Sequence, residues 1–151
     1  MHAGPITRFR GDHFFLSNFS ASQVAYDGVM YPTVEHAYQA AKTCDPNARE
    51  WVRQATTAGE AKKRGQKVPM RSDWMGIRVS VMYWIVRSKF KDPTLARLLL
   101  QTGSCLLIEG NFHGDTFWGQ CKGIGENHLG KILMQIRLEL QLWGFVTTTS
   151  Q

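Results

Sequence analysis

The amino-acid sequence predicts a mainly α-helical domain, α+β only at the margin, in which a few short strands and one hairpin accompany six helices. Three observations carry this prediction. Helix-start signals recur along the chain: Thr33, Asp45-Pro46, Thr57-Ala58-Gly59-Glu60, Ser72 or Asp73, Asp92-Pro93 and Asn127. Between Trp74 and Phe90 the residues Ile77, Val81, Trp84, Ile85 and Ser88 recur at helical spacing and mark a mostly apolar side. The β-compatible stretches, by contrast, are short and bounded by turn formers. At 151 residues, 43% hydrophobic and 20% charged, the chain is long and apolar enough for one globular core. Residues 1–146 are expected to form a single domain and 147–151 a polar, flexible tail.

Taken in order, Pro5-Ile6-Thr7-Arg8-Phe9 reads as a short strand. Phe14-Phe15-Leu16-Ser17-Asn18-Phe19 reads as a buried loop anchored by its phenylalanines and ending in a Ser-Asn turn pair. Asp27-Gly28 between Tyr26 and Val29 signals a tight hairpin. Thr33 then caps a helix over Val34–Lys42, with Glu35 in its first turn, where the macrodipole favours the carboxylate. A second helix runs from Pro46 to about Thr56 and a third from Ala58 to about Gly65. The helix from Trp74 to about Phe90 is the expected core helix, with Trp84 in it by default. Asp92-Pro93 opens the fifth helix and Gly103 closes it. Cys105-Leu106-Leu107-Ile108-Glu109 reads as a buried strand, and Asn127 caps a final helix over Leu129–Trp143.

Composition narrows the function classes. A formal charge of +6 favours an anionic partner such as a nucleotide, a phosphorylated metabolite or a nucleic acid. Lys62, Lys63, Arg64, Lys67 and Arg71 form a basic run suited to phosphates or, equally, to solvent. Three cysteines without metal-type spacing read as reduced thiols, and no secretory signal or membrane-length apolar run is present, so the expected setting is cytoplasmic. His36, His113, Asp115, Cys121 and His128 form no compact ligand motif, which argues against a metal site. Cys44 and Cys121 lack a sequence-evident base and read as packing residues.

The chemistry-bearing residues that remain are few. On the first helix, Glu35, Tyr38, Gln39 and Lys42 share one stripe opposite a side that is largely alanine. Either they line a polar site or they form an ordinary solvated face. The loop from Glu109 to Gly119 gathers two carboxylates, a histidine, an amide and an indole among glycines. Glu35, Glu109 and Asp115 together with Lys42 suit cleavage of an N-glycosidic bond, whose oxocarbenium-like transition state asks for a nearby anion and an activated water. Two carboxylates can share those duties, as in glycosidases, or the Lys42 amine can attack the open-chain aldehyde of a ribose as a Schiff base. The residues alone permit both.

The chain resembles the YbiA-like, or NADAR, family of small N-glycosidases. The resemblance rests on Phe15-Leu16-Ser17-Asn18-Phe19, Val34-Glu35-His36-Ala37-Tyr38-Gln39-Ala40-Ala41-Lys42, Ala61-Lys62, Arg71-Ser72-Asp73-Trp74, Lys89-Phe90, Leu107-Ile108-Glu109-Gly110-Asn111, Asp115, Trp118-Gly119 and the run from Gly125 to Arg137. The family acts on ribosyl N-glycosides: phosphoribosylamino-pyrimidine intermediates of riboflavin synthesis, or ADP-ribose on guanine. What the resemblance implies is a mainly helical domain that needs no cofactor or metal, with Glu35, Lys42 and Asp115 catalytic. It further implies substrate contacts from Ser17, Asn18, Tyr38, Gln39, Lys62, Trp84 and Lys89. Glu109, Trp118, Gly119 and Asn127 join them, with Asp115 and Trp118 on an opposite wall. The expected partner is a ribosylated small-molecule nucleotide or ADP-ribosylated guanine in nucleic acid, with no membrane and the oligomeric state open. The Phe112-His113-Gly114 stretch bears on substrate choice. A non-catalytic sensor of NAD or ADP-ribose and a nucleic-acid-binding module are the two other classes the same residues admit.

Overall fold

The computed structural model describes residues 4–144. Helices dominate: α1 (Val34–Ala41), α2 (Pro46–Arg53), α3 (Ala58–Gly65), α4 (Trp74–Lys89), α5 (Pro93–Gln101) and α6 (His128–Trp143). Two antiparallel strands, β1 (Val24–Tyr26) and β2 (Val29–Tyr31), form one small sheet, and two parallel two-residue strands, β3 (Gly110–Asn111) and β4 (Gln120–Cys121), form another. The fold is mainly α with small sheets. No helix among the described residues is long and apolar enough to cross a membrane. The tail 147–151 lies outside the described residues.

The chain's packing divides into two compact units, one made by Ser17–Lys89 and the other by the flanking segments, up to Leu16 and from Phe90 onward. In the Ser17–Lys89 unit, α1 is the centre: it packs on α2, α3 and α4 and on both strands of the hairpin. That position follows from its alanines. Ala37, Ala40 and Ala41 are fully buried and let neighbouring helices approach closely. Asp27 at φ 50 and Gly28 at φ 78 make the two-residue turn that joins β1 to β2, both in the left-handed region such a hairpin requires. Thr33 caps α1 as expected, its Oγ1 accepting from His36 N at 3.1 Å. Asp45 caps α2 through Asn47 N, and Thr57 caps α3 through Glu60 N.

In the flanking unit, α5 packs on α6, and Asp92 caps α5 by accepting from Thr94 N and Leu95 N. Leu99, Leu107, Leu133 and Ile136 are fully buried in this unit's core. Asn127 occupies the cap position of α6 but makes no side-chain cap bond. Its Oδ1 instead accepts from Glu109 N at 3.0 Å and its Nδ2 donates to Leu107 O at 2.9 Å, so the amide ties the 107–109 segment to the start of the helix.

Several expectations are corrected. Helix α2 stops at Arg53, because Gln54 already serves as its C-cap, rather than running to Thr56. Cys105–Glu109 is not a strand: only Leu107 pairs, in a single parallel bridge with Ile6, and the Pro5–Phe9 strand shrinks to that same bridge. Around Leu107 the backbone is held in part by Asn127 instead, which bonds Glu109 N and Leu107 O. The Phe14–Phe19 loop is anchored by Leu16, which is 1% exposed, while Phe14 and Phe19 are 45% and 42% exposed. Trp84 is not core. It is 57% exposed, edge-on to Tyr83 and covered in part by the Arg87 guanidinium, while Met82, Ile85 and Val86 take the buried side of α4.

Candidate active site

Every residue of α1 is buried, so the alternative of a solvated face does not hold. Glu35, Tyr38 and Gln39 are each more than nine-tenths buried, and only Lys42, at the C-cap, reaches a half-buried position. A carboxylate, a phenol and an amide packed within a unit core stand in place of the apolar residues such a helix would ordinarily bury. Glu35 Oε1 accepts a hydrogen bond of 2.7 Å from Gln39 Nε2, one turn along. Its backbone N donates to Asn18 O at 3.1 Å, so the Ser17–Asn18 turn satisfies one of the open N–H groups of the first turn of α1.

That turn is itself held from α4. Lys89, 2% exposed, donates from Nζ to Ser17 O and to Ser20 Oγ, each at 2.9 Å. Asn18 Nδ2 approaches Met82 Sδ at 3.7 Å. Burial pushes the Lys89 amine down to about 7. Ser17, Asn18, Glu35 and Lys89 thus form one connected assembly, although they stand far apart in sequence.

Lys42 lies at the other end of α1. Its Nζ is 5.8 Å from the centre of the Tyr38 ring, which tilts against Trp74 with centroids 5.1 Å apart. Burial pushes its pKa below the ordinary lysine value; the Glu35 carboxylate acts in the opposite direction, and the Lys62 cation adds to the lowering. Lys62 is exposed on α3. Of the basic run beside it, Arg64 pairs with Glu60 and donates to Trp51 O, and Arg71 pairs with Asp73, so those two cations are engaged locally.

The loop of the flanking unit is organised by Asn111. Its Nδ2 donates to Glu109 Oε2 at 3.2 Å and to Asp115 O at 2.8 Å, and its Oδ1 accepts from Asp115 N at 3.0 Å. Asp115 Oδ1 accepts from the backbone of Phe117 and Trp118, which fixes the turn that presents the Trp118 indole. Trp118 stands edge-on to Phe117, and both rings meet His128. Gly119 is required where it stands: a Cβ there would lie 1.8 Å from Glu109 Oε2 and 2.0 Å from Glu109 O.

The structure therefore brings Glu35, Tyr38, Gln39 and Lys42 together, with Ser17, Asn18 and Lys89 behind Glu35 and Lys62 coupled to Lys42. It groups Glu109, Asp115, Trp118, Gly119 and Asn127 in the flanking unit, and sets Trp84 on the exposed side of α4. Sequence reasoning missed Trp74 and Gly65 as site residues. Trp74 stood within a quoted motif without a role, and Gly65 read only as a helix end. His36 is fully engaged, with Nε2 2.9 Å from Ala55 O and Nδ1 2.7 Å from Thr33 Oγ1. The carbonyl accepts only, so Nε2 carries a proton. No group of three potential metal-ligating side chains occurs among the described residues.

A mainly helical fold of this kind is what known proteins share with this chain. The chain belongs to the NADAR domain family, whose model matches residues 6–141. It is 35% identical to the N-glycosidase YbiA of Escherichia coli (strain K12), over 87% of this chain and 84% of that protein. It is 43% identical to a riboflavin biosynthesis protein of Vibrio vulnificus over 86% of this chain, which spans 36% of that longer protein. The solution NMR structure of E. coli YbiA superposes with a TM-score of 0.82 at 33% identity, covering 93% of this chain and 87% of that one.

Proposed function

We propose that this protein is a hydrolase of N-glycosyl compounds that cleaves the bond between a phosphorylated ribose, as ribose 5-phosphate or ADP-ribose, and a nitrogenous base. The observation that carries the reading is the pairing on α1 of buried Glu35 with an amine, Lys42, whose proton affinity is lowered by burial. Names of relatives support the class of reaction: N-glycosidase for the E. coli protein and riboflavin biosynthesis for the Vibrio protein. In this reading Glu35 stabilises the positive charge that develops at the ribose C1 or orients the attacking water. Lys42, more readily neutral than an exposed lysine, displaces the base at C1: the amine's bond to C1 forms as the bond to the base breaks, and an amine proton passes to the departing base. The ring then opens as its C1–O bond breaks and the second amine proton passes to the ring oxygen, which leaves a Schiff base. Water then adds back to the imine carbon, the amine leaves and the free sugar is released.

The test is incubation with ADP-ribosylated guanosine, ADP-ribosylated DNA and phosphoribosylamino-pyrimidine intermediates, with release of base followed by chromatography. Turnover of at least one is expected, and a folded protein silent on all of them overturns the reading. Borohydride added during turnover should trap a sugar on Lys42. Loss of activity in Glu35→Ala with full activity in Lys42→Ala would exclude the covalent route and leave a carboxylate mechanism.

A further inference from the structure

We infer that Gln39 is the positioning residue for Glu35, and that Gly65 is a glycine because the Gln39 amide fills the place of its side chain. The inference deepens the role assigned to Glu35 above and rests on it. Gln39 is 4% exposed and points its Nε2 at the carboxylate at 2.7 Å. Its other amide atom, Oε1, is buried with no hydrogen-bond donor. That oxygen faces the end of α3, where a Cβ on Gly65 would lie 2.0 Å from it and 2.6 Å from Gln39 Cδ. A buried amide carbonyl without a donor is uncommon and asks for a compensating gain.

The compensation is the bond to Glu35. Were the amide to flip, its oxygen would confront a carboxylate oxygen, two acceptors face to face. The amide therefore has one orientation while Glu35 is ionised, and a hydrogen bond to the ionised form favours that form. Protonation of Glu35 would weaken the contact that alone holds the amide. Gln39 thus both aims the carboxylate and biases it toward the anion, which suits a group that stabilises positive charge or accepts a proton from water. Gly65 makes this possible by letting α3 close on α1 at the position of the amide. A methyl group there would meet the amide and, at 2.7 Å, the Gln39 Cβ.

Two variants test this: Gln39→Met, which keeps the volume and loses the donor, and Gly65→Ala. Gln39→Met should lower kcat roughly ten- to hundredfold, the worth of one charge-assisted hydrogen bond, with KM little changed. The acid limb of its rate profile should move to higher pH, a change that loosened packing alone does not produce. Gly65→Ala should reproduce both effects. Wild-type kcat and pH profile in folded Gln39→Met overturn the inference. A readout independent of turnover separates it from the proposed reaction: in the wild type the Gln39 side-chain amide resonance should shift as Glu35 titrates, and should not in Glu35→Gln. An amide resonance blind to Glu35 overturns the positioning role even if the enzyme is active, and a responsive one supports it even if no tested glycoside is cleaved.

Discussion

Lys42 owes its lowered proton affinity to burial. A lysine exposed on a helix keeps its proton far above neutral pH, whereas at the C-cap of α1 desolvation lowers Lys42's proton affinity, Lys62 lowers it further and Glu35 partly restores it. The neutral amine needed for attack is therefore present at a lower pH than in free lysine. Adduct formation should rise with pH through the lowered Lys42 pKa and level off before the ordinary lysine value. Lys62→Met removes a like charge, so the rise should move to higher pH; an unmoved profile of borohydride-trapped adduct would show that Lys62 does not act on Lys42. Lys42→Arg keeps the charge but supplies no such amine, and should trap no sugar at any pH.

The elements were legible in the sequence wherever a local signal decides the structure. Thr33, Asp45, Thr57 and Asp92 cap helices as read, and Asp27-Gly28 turns the hairpin, because each acts on backbone within three residues of itself. Asn127 reads as a cap on the same logic but serves a segment 18 to 20 residues away, which no local rule reveals. The polar stripe of α1 was visible as a pattern, but its burial was not, since that depends on how closely α2, α3 and α4 pack around its alanines. Trp84 failed in the opposite sense: helical spacing placed it beside the apolar residues, and tertiary packing chose Met82 and Val86 instead. Two predictions belong at this scale. Thr33→Ala removes both the N-cap and the hydroxyl against His36 Nδ1, and should cost about 1–3 kcal/mol in urea unfolding. Asp115→Asn keeps an oxygen to accept from Phe117 N and Trp118 N and loses only the charge. Turnover about a hundredfold lower at unchanged melting temperature would assign the carboxylate to the reaction; full activity would confine Asp115 to ordering the loop.

At the scale of the whole molecule, the buried amine of Lys89 ties folding stability to pH. The group carries its proton in the unfolded chain up to the ordinary lysine value of 10.5 and in the folded chain only to about 7. Between those values the unfolded state binds the extra proton, so folding stability contributed by this group rises with pH, by at most about 1.4 kcal/mol per pH unit, and is lost as pH falls back through about 7. The neutral amine still has two N–H groups, enough for both Ser17 O and Ser20 Oγ, so the turn that supports Glu35 need not be released when the proton leaves. Lys89→Met cannot titrate and cannot make those bonds. Urea unfolding of the two proteins at pH 7, 8 and 9 should show the wild type gaining on the variant at each step, with the other titrating groups cancelling in the difference. A constant difference across that range would mean that the two serine oxygens hold Lys89 as an ammonium in the folded protein, and that its burial is compensated by those bonds rather than by loss of its charge.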